Sequence, residues 1–424
     1  MNMTDFDRLL SETNSALLLG NGFSMNFDSG FSNIHSRLYE THKLLYKTTS
    51  YYSEAPNSNL NTKRKKGYEN VIQKMKYWRE NEFYEIFNQG VNFAQSIACF
   101  DGMEEWLILK KCNYATAGGY GVYHDCMEIY QTAKNKGVAA VNIEYWPTLI
   151  YMYYVLSNES PDNYILPANN SFTDLICAGE YKQINLYGKS VPVLDTYNNG
   201  FNTYYKMLYS LAIFNQGKAI GQVRLDKIEQ LNKFAIGHLL EEFKFILTLN
   251  YDHIIEENWN NIEVVHLHGA YELNDDMVFY QKMLHDYSGV DVNFSSILIG
   301  DFLCNKTHQA ITSQKMNKGG SRAFESANEL INNAISNHKI SNIIIFGMNI
   351  CNDQDLLRYI MLAYEKECVE KPIITYCYFT IDEKLEFEKQ FEKAKSFSQE
   401  VNLYCEKIVV HTVATQDILQ KYFF

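Results

Sequence analysis

Three polar side chains at the ends of apolar runs carry the chemistry this sequence can do. Asn250 and Asp252 follow the run 245–249, and His268, with Gly269 behind it, follows the run 264–267. An amide, a carboxylate and an imidazole held in one crevice can orient a small polar molecule and attack it. An imidazole titrating near neutral pH suits proton removal. Near the start of the chain, the apolar run 16–19 leads into Gly20-Asn21-Gly22-Phe23-Ser24. Two glycines let a backbone turn tightly and approach a ligand, and a helix starting there offers N–H groups to phosphate. A third turn, Gly347-Met348-Asn349, follows the run 343–346.

Groups this far apart in sequence need a rigid frame to meet. From 238 onward, strand signals fall at 245–249, 263–267, 296–300, 342–346, 372–379 and 407–413. Helical apolar spacing separates them, through Ala327, Leu330, Ile331, Ala334 and Ile335, and again through Leu356, Leu357, Ile360, Met361 and Tyr364. Continuous apolar strands alternating with amphipathic helices imply a parallel sheet covered on both faces. Residues 4–14 read as a helix leading into the first strand. From 46 to 237 the spacing is helical, as in 68–98 and 201–216, without strand alternation. The expected fold is α/β, a Rossmann-like parallel sheet covered by helices with a large, mostly helical insertion after the first strand. Residues 1–45 and 238–424 would form the Rossmann domain and 46–237 the insertion.

Each candidate also has a plainer explanation. Asn250 could be a turn residue leaving a strand, and Asp252 the N-cap of a helix at 253–259. His266 points to the same side of its strand as His268 and reads first as a buried, hydrogen-bonded structural histidine, second as a further site residue. His253 reads as helix surface, and Asp355 as a helix N-cap. What favours function is the ordered recurrence of polar turns at strand ends, where α/β sheets bind ligands.

Bulk properties narrow the classes. A chain of 424 residues can form a large core, with one to three domains expected. A net charge of −12 argues against a general nucleic-acid surface. The basic run Lys63-Arg64-Lys65-Lys66 reads as a solvated loop. Nine scattered cysteines with no C-x-x-C pair argue against a disulfide framework. No signal peptide or spanning run is evident, so a soluble, cytoplasmic protein is expected. No metal is expected, because the histidines near the cleft lack a partner ligand at the usual helical spacing and catalytic zinc motifs are absent. Walker A and G-x-S-x-G sequences are missing too, which removes P-loop ATPases and serine hydrolases.

Taken in order, GNGFS, T-x-N-x-D (Thr248, Asn250, Asp252), H-G (His268, Gly269) and the Gly347–Asn349 turn resemble the landmarks of the sirtuin (SIR2-like) superfamily. With NDQDL at 352–356, the wording is most similar to bacterial sirtuin-like proteins of phage defence. The protein deacylases of the superfamily carry a four-cysteine zinc module that this sequence lacks. The Ser29-Gly30-Phe31 stretch keeps only a fragment of the family's cofactor loop. The resemblance implies an NAD+ hydrolase giving nicotinamide and ADP-ribose. Asn250 would position the ribose or a water, Asp252 would lie at the nicotinamide carboxamide, and His268 would act as base on a ribose hydroxyl. Gly20, Asn21, Gly22, Phe23, Ser24, Thr248, Gly269, Gly347, Asn349 and Asp355 would contribute to cofactor binding, with NAD+ as substrate. Such an activity would need restraint by homo-oligomerisation, by the insertion, or by a separately encoded activator or ATPase partner. The alternative is a non-catalytic NAD+ or ADP-ribose sensor, since binding alone needs no general base.

Overall fold

The computed structural model describes residues 1–48, 52–53, 59–113, 121–180, 199–214, 225, 228–259, 261–267, 279–280, 284–285, 291–292, 327–350, 353–396 and 404–424. The chain forms two compact units. Met1–Ser32, Gly217–Ala270 and Ser321–Phe424 make the first, and Asn33–Gln216 with Tyr271–Gly320 make the second. The division read from the sequence is 1–45 with 238–424 around 46–237.

The first unit is built on β1 (Ser15–Leu19), β2 (Phe245–Thr248), β3 (Val264–His266), β4 (Asn342–Phe346), β5 (Ile373–Tyr378) and β6 (Val409–Ala414). All pairings are parallel, in the spatial order β3-β2-β1-β4-β5-β6. This is the Rossmann-like order, in which the direction of strand addition reverses between β1 and β4. The strand expected at 296–300 lies outside the described residues. The helices are α1 (Met3–Glu12), α2 (Asn21–Ser24), α3 (Lys233–Glu241), α4 (Ile254–Asn258), α5 (Ala327–His338), α6 (Gln354–Lys366), α7 (Ile381–Lys395) and α8 (Thr415–Ile418).

β1 and β4 are buried throughout because both of their faces are covered, and beyond Ser15 and Asn342 at their starts they are apolar. Alternate side chains divide between two cores. Ala16, Leu18, Leu247, Ile343 and Ile345 pack with residues of α5, α6 and α7, such as Ile331, Leu357 and Phe387. Leu17, Leu19, Ile246, Ile344 and Phe346 pack with Phe6 and Leu10 of α1, Ile236 and Leu240 of α3, and Phe423. Leu18 is wholly buried, so its truncation to alanine costs about 2–5 kcal/mol.

Polar groups at the amino end of the sheet are bonded to one another. Ser15, Asn342 and Thr375 are fully buried on β1, β4 and β5. Asn342 Nδ2 donates to Ser15 Oγ at 2.9 Å, and Thr375 Oγ1 donates to Asn342 Oδ1 at 3.2 Å. Unpaired, each group would carry a desolvation cost of about 1–3 kcal/mol. At the carboxyl end, Leu19 is level with Thr248 on one side and Phe346 on the other, and Thr248 is level with His266. Four strands therefore stop together.

The second unit is mostly helical among its described residues, with helices at Leu38–Thr48, Asn59–Met75, Glu80–Ala98, Met103–Leu109, Val122–Lys136, Trp146–Asn158, Ser171–Ala178 and Gly200–Phe214. The stretch 68–98, whose apolar spacing is helical, falls in helices. The structure has two, with Arg79 as N-cap of the second. The basic run 63–66 lies inside the Asn59–Met75 helix and not in a loop. Aromatic rings fill this core: Phe87 meets Trp146 edge-on at 5.3 Å, and Phe172 meets Phe201 at 5.2 Å. Gly90 makes room for them, because a Cβ there would lie 2.9 Å from Trp146 and 3.0 Å from Phe172. Among the described residues, no helix is long and apolar enough to cross a membrane.

Candidate functional site

Because the strands stop level, the residues that follow them leave the sheet side by side. The ladder runs one residue further, with Gly20 N donating to Phe346 O at 2.9 Å and Leu249 N to Leu19 O at 2.9 Å. The turn after β1 then packs onto the turn after β4. Gly22 N donates to Gly347 O at 2.7 Å, and Gly347 has a left-handed φ of 67°. A Cβ at Gly20 would lie 2.5 Å from Gly347 O, and one at Gly22 would lie 2.7 Å from Gly347 Cα. These glycines are required by the contact of one backbone on another. The N–H groups of Gly20, Gly22 and Phe23 already donate to Phe346, Gly347 and Gly20, and α2 is a single turn of four residues. Tyr376 steadies the second turn through its hydroxyl, which donates to Met348 O at 3.1 Å.

Across this turn lies a buried polar chain. Asn250 Nδ2 donates to Gly20 O at 3.1 Å and to Ser24 Oγ at 2.9 Å, and Ser24 Oγ donates to Asp252 Oδ2 at 2.7 Å. A carbonyl can only accept, so the amide nitrogen of Asn250 must face Gly20. Both amide hydrogens are thereby used, and what Asn250 can offer a ligand is its Oδ1. Thr248 Oγ1 accepts from Asn250 N at 3.0 Å and holds the turn. Ser24, Thr248, Asn250 and Asp252 are all buried. Asp252 caps α4 from one position before the N-cap. The helix begins at Ile254 with His253 as N-cap, and Asp252 Oδ1 accepts from Ile254 N at 3.2 Å.

A second polar group lies on the other side of Asn250. His266, at the end of β3, has Nδ1 2.6 Å from Asn250 O and Nε2 2.7 Å from Glu256 Oε1. His253 Nδ1 lies 2.9 Å from the same Glu256 oxygen, and the two imidazole rings meet edge-on at 4.9 Å. Burial works against the charge on Glu256, yet hydrogen bonds from His253 and His266 and the His266 charge bring its pKa down to about 2. Sequence reasoning treated His266 first as structural and His253 as surface, and passed over Glu256. The three-residue spacing from His253 to Glu256 on α4 was the signal that could have joined them.

The remaining candidates are dispersed. The Phe23 ring belongs to the core, against Phe27, Phe346 and Phe423 at 5.1–6.2 Å. Asn21 and Asn349 are exposed at the two turns. Asp355 is not the cap of α6: the helix begins at Gln354 and its N-cap is Asp353. His268 and Gly269 lie outside the described residues. No protein-family model, curated protein or solved structure matches the chain.

Proposed function

We propose that this chain is a sirtuin-like NAD+ hydrolase that cleaves the nicotinamide–ribose bond, acting as an NAD-depleting effector of bacterial defence against phage. The observation that supports this reading is the Asn250–Ser24–Asp252 chain. It joins the turns after β1 and β2 at level strand ends, next to the β1–β4 point where the strand order reverses, the region where open α/β sheets take ligands. As the bond breaks, its electron pair leaves with nicotinamide and positive charge develops on the ribose. The buried Asp252 carboxylate, fixed by Ser24 and the start of α4, favours that charge. Asn250 Oδ1 accepts a hydrogen bond from a ribose hydroxyl or from the attacking water, and His268 takes a proton from a ribose hydroxyl. Water then bonds to the anomeric carbon, its proton returns to the ribose oxygen, and the proton held by His268 passes to solvent as ADP-ribose forms.

Uncontrolled, such turnover would exhaust the host's NAD+, so the resting enzyme is held off by self-association or by a separately encoded activator. A non-catalytic sensor is the second reading. It is favoured by the engagement of both Asp252 oxygens within the protein, an arrangement that a purely binding site also needs.

The deciding experiment measures nicotinamide release from NAD+ by the purified full chain, beside Asn250→Ala and His268→Ala. Release by the wild type that is lost in both variants is the expected result. Binding of NAD+ without release at high protein concentration selects the sensor. Failure to bind NAD+ at all overturns both readings.

A further inference from the structure

We infer that His253, Glu256 and His266 form a binding site for one divalent transition-metal ion of the zinc class. One ligand atom from each of the three groups lies within 4.8 Å of the others. Two imidazoles and one carboxylate are a donor set that zinc and its neighbours in the first transition row accept readily.

The hydrogen bonds around His266 carry the argument. Asn250 O can only accept, so Nδ1 of His266 holds the proton of the 2.6 Å contact. That leaves Nε2 facing Glu256 Oε1, 2.7 Å away, with either its lone pair or a second proton. Two acceptors that close need a positive centre between them, either a second proton on the ring or a cation. An imidazole that donates Nδ1–H to a backbone carbonyl and turns Nε2 toward a carboxylate is oriented as metal-binding histidines are. His253 brings a third donor to the same carboxylate oxygen, at 2.9 Å.

The geometry needs little change to admit the ion. Metal–ligand distances of about 2.0–2.1 Å at tetrahedral angles place donors about 3.4 Å apart. The contacts of the two nitrogens with the carboxylate, now 2.9 and 2.7 Å, therefore lengthen by roughly 0.5–0.7 Å to admit an ion. The side chains of His253 and Glu256 are 27% and 30% exposed and that of His266 is 9% exposed, which leaves an entry path and open coordination positions. The ion would tie α4 to β3 and, through His266, fix the carbonyl of Asn250. It would thus set the candidate catalytic turn without touching substrate.

The test is a zinc titration of the full chain after EDTA treatment and dialysis, read by calorimetry and by thermal unfolding. One equivalent of saturable binding is expected, with the unfolding midpoint raised by at least about 2–4 °C. Glu256→Gln and His253→Gln should each weaken binding by more than the roughly 10–100-fold lost with an outer-shell partner. His253 is part-exposed, so its glutamine variant should fold. His238→Gln, at an exposed position on α3, should bind zinc as the wild type does. Cobalt in place of zinc should give visible bands without a thiolate charge-transfer band. Absence of stoichiometric binding, binding unchanged in both cluster variants, or a thiolate band would each overturn the proposal, and the first would assign the 2.7 Å contact to a second proton.

Discussion

The two ends of the sheet bury the same kinds of small polar groups and use them differently. At the amino end, Ser15, Asn342 and Thr375 bond strand to strand. They carry no titratable group and need nothing from outside. At the carboxyl end, Ser24, Asn250 and Asp252 bond turn to turn, and include a carboxylate and an amide oxygen that the proposed function would use. Buried polar groups are costly unless paired, and both ends meet that demand. Only the carboxyl end has spare chemistry, so polar burial alone does not mark a site. What marks it is a carboxylate and an amide placed on turns and not within strands.

Substitutions can break this contrast, and the largest effect should come from Asn250→Ala. It is expected to lower nicotinamide release about 100–1,000-fold, since a positioned polar group at a developing charge contributes on that scale. Melting should change far less. Gly22→Val drives a side chain into the Gly347 backbone and should cost about 3 kcal/mol of stability, visible in urea denaturation. At the other end, Asn342→Ala removes the acceptor of the Thr375 hydroxyl and one of two partners of the Ser15 hydroxyl, which keeps Thr13, and should cost about 2 kcal/mol, while NAD+ affinity per folded molecule stays unchanged. A drop in affinity there would abolish the distinction between the ends.

Acid sharpens the contrast by a smaller amount. Glu256 at the carboxyl end has a folded pKa of about 2, below its ordinary 4.5. It therefore contributes stability that is fully present above about pH 4.5 and is lost as pH falls through 2. Allowing for solvent screening, the loss is about 1–2 kcal/mol. In EDTA, wild type should lose that much more stability than Glu256→Gln between pH 5 and pH 2.5. Equal losses would mean that the His253 and His266 contacts do not hold the charge. Tyr376→Phe should have the smallest effect, about 1 kcal/mol, by freeing Met348 O.

The sheet was legible because its central strands are buried on both faces. The runs around Leu18, Leu247 and Ile345 read as unbroken apolar segments, and α1, α5 and α6 showed their inward stripes. The turn residues were legible by type, since glycine, asparagine and aspartate at strand ends have few other reasons to cluster. Their partners were not. Nothing local in Ser24 announces a bond to Asp252, and Glu256 on a short helix reads like any surface acid until β3 brings His266 against it. Caps slipped for a related reason. At 252–253 and 353–355 more than one polar residue could start the helix, and packing of the first turn decides which does. The glycines at 20 and 22 look like a phosphate cradle, whereas both of their N–H groups go to the neighbouring segment of the chain, one to Phe346 at the end of β4 and one to Gly347 in the turn.

The pairing of β1 has a consequence for how the protein comes into being. Ser24 waits for a partner 228 residues downstream, and Ser15 for one 327 residues away. At ribosomal rates of about 5–20 residues per second, the first gap alone lasts roughly 10–50 s. Throughout that interval an apolar strand has emerged with neither neighbour made, in need of shelter from aggregation. The same delay applies to the polar turn: no truncated product ending before residue 250 can form the bonds that join Ser24 to Asn250 and Asp252.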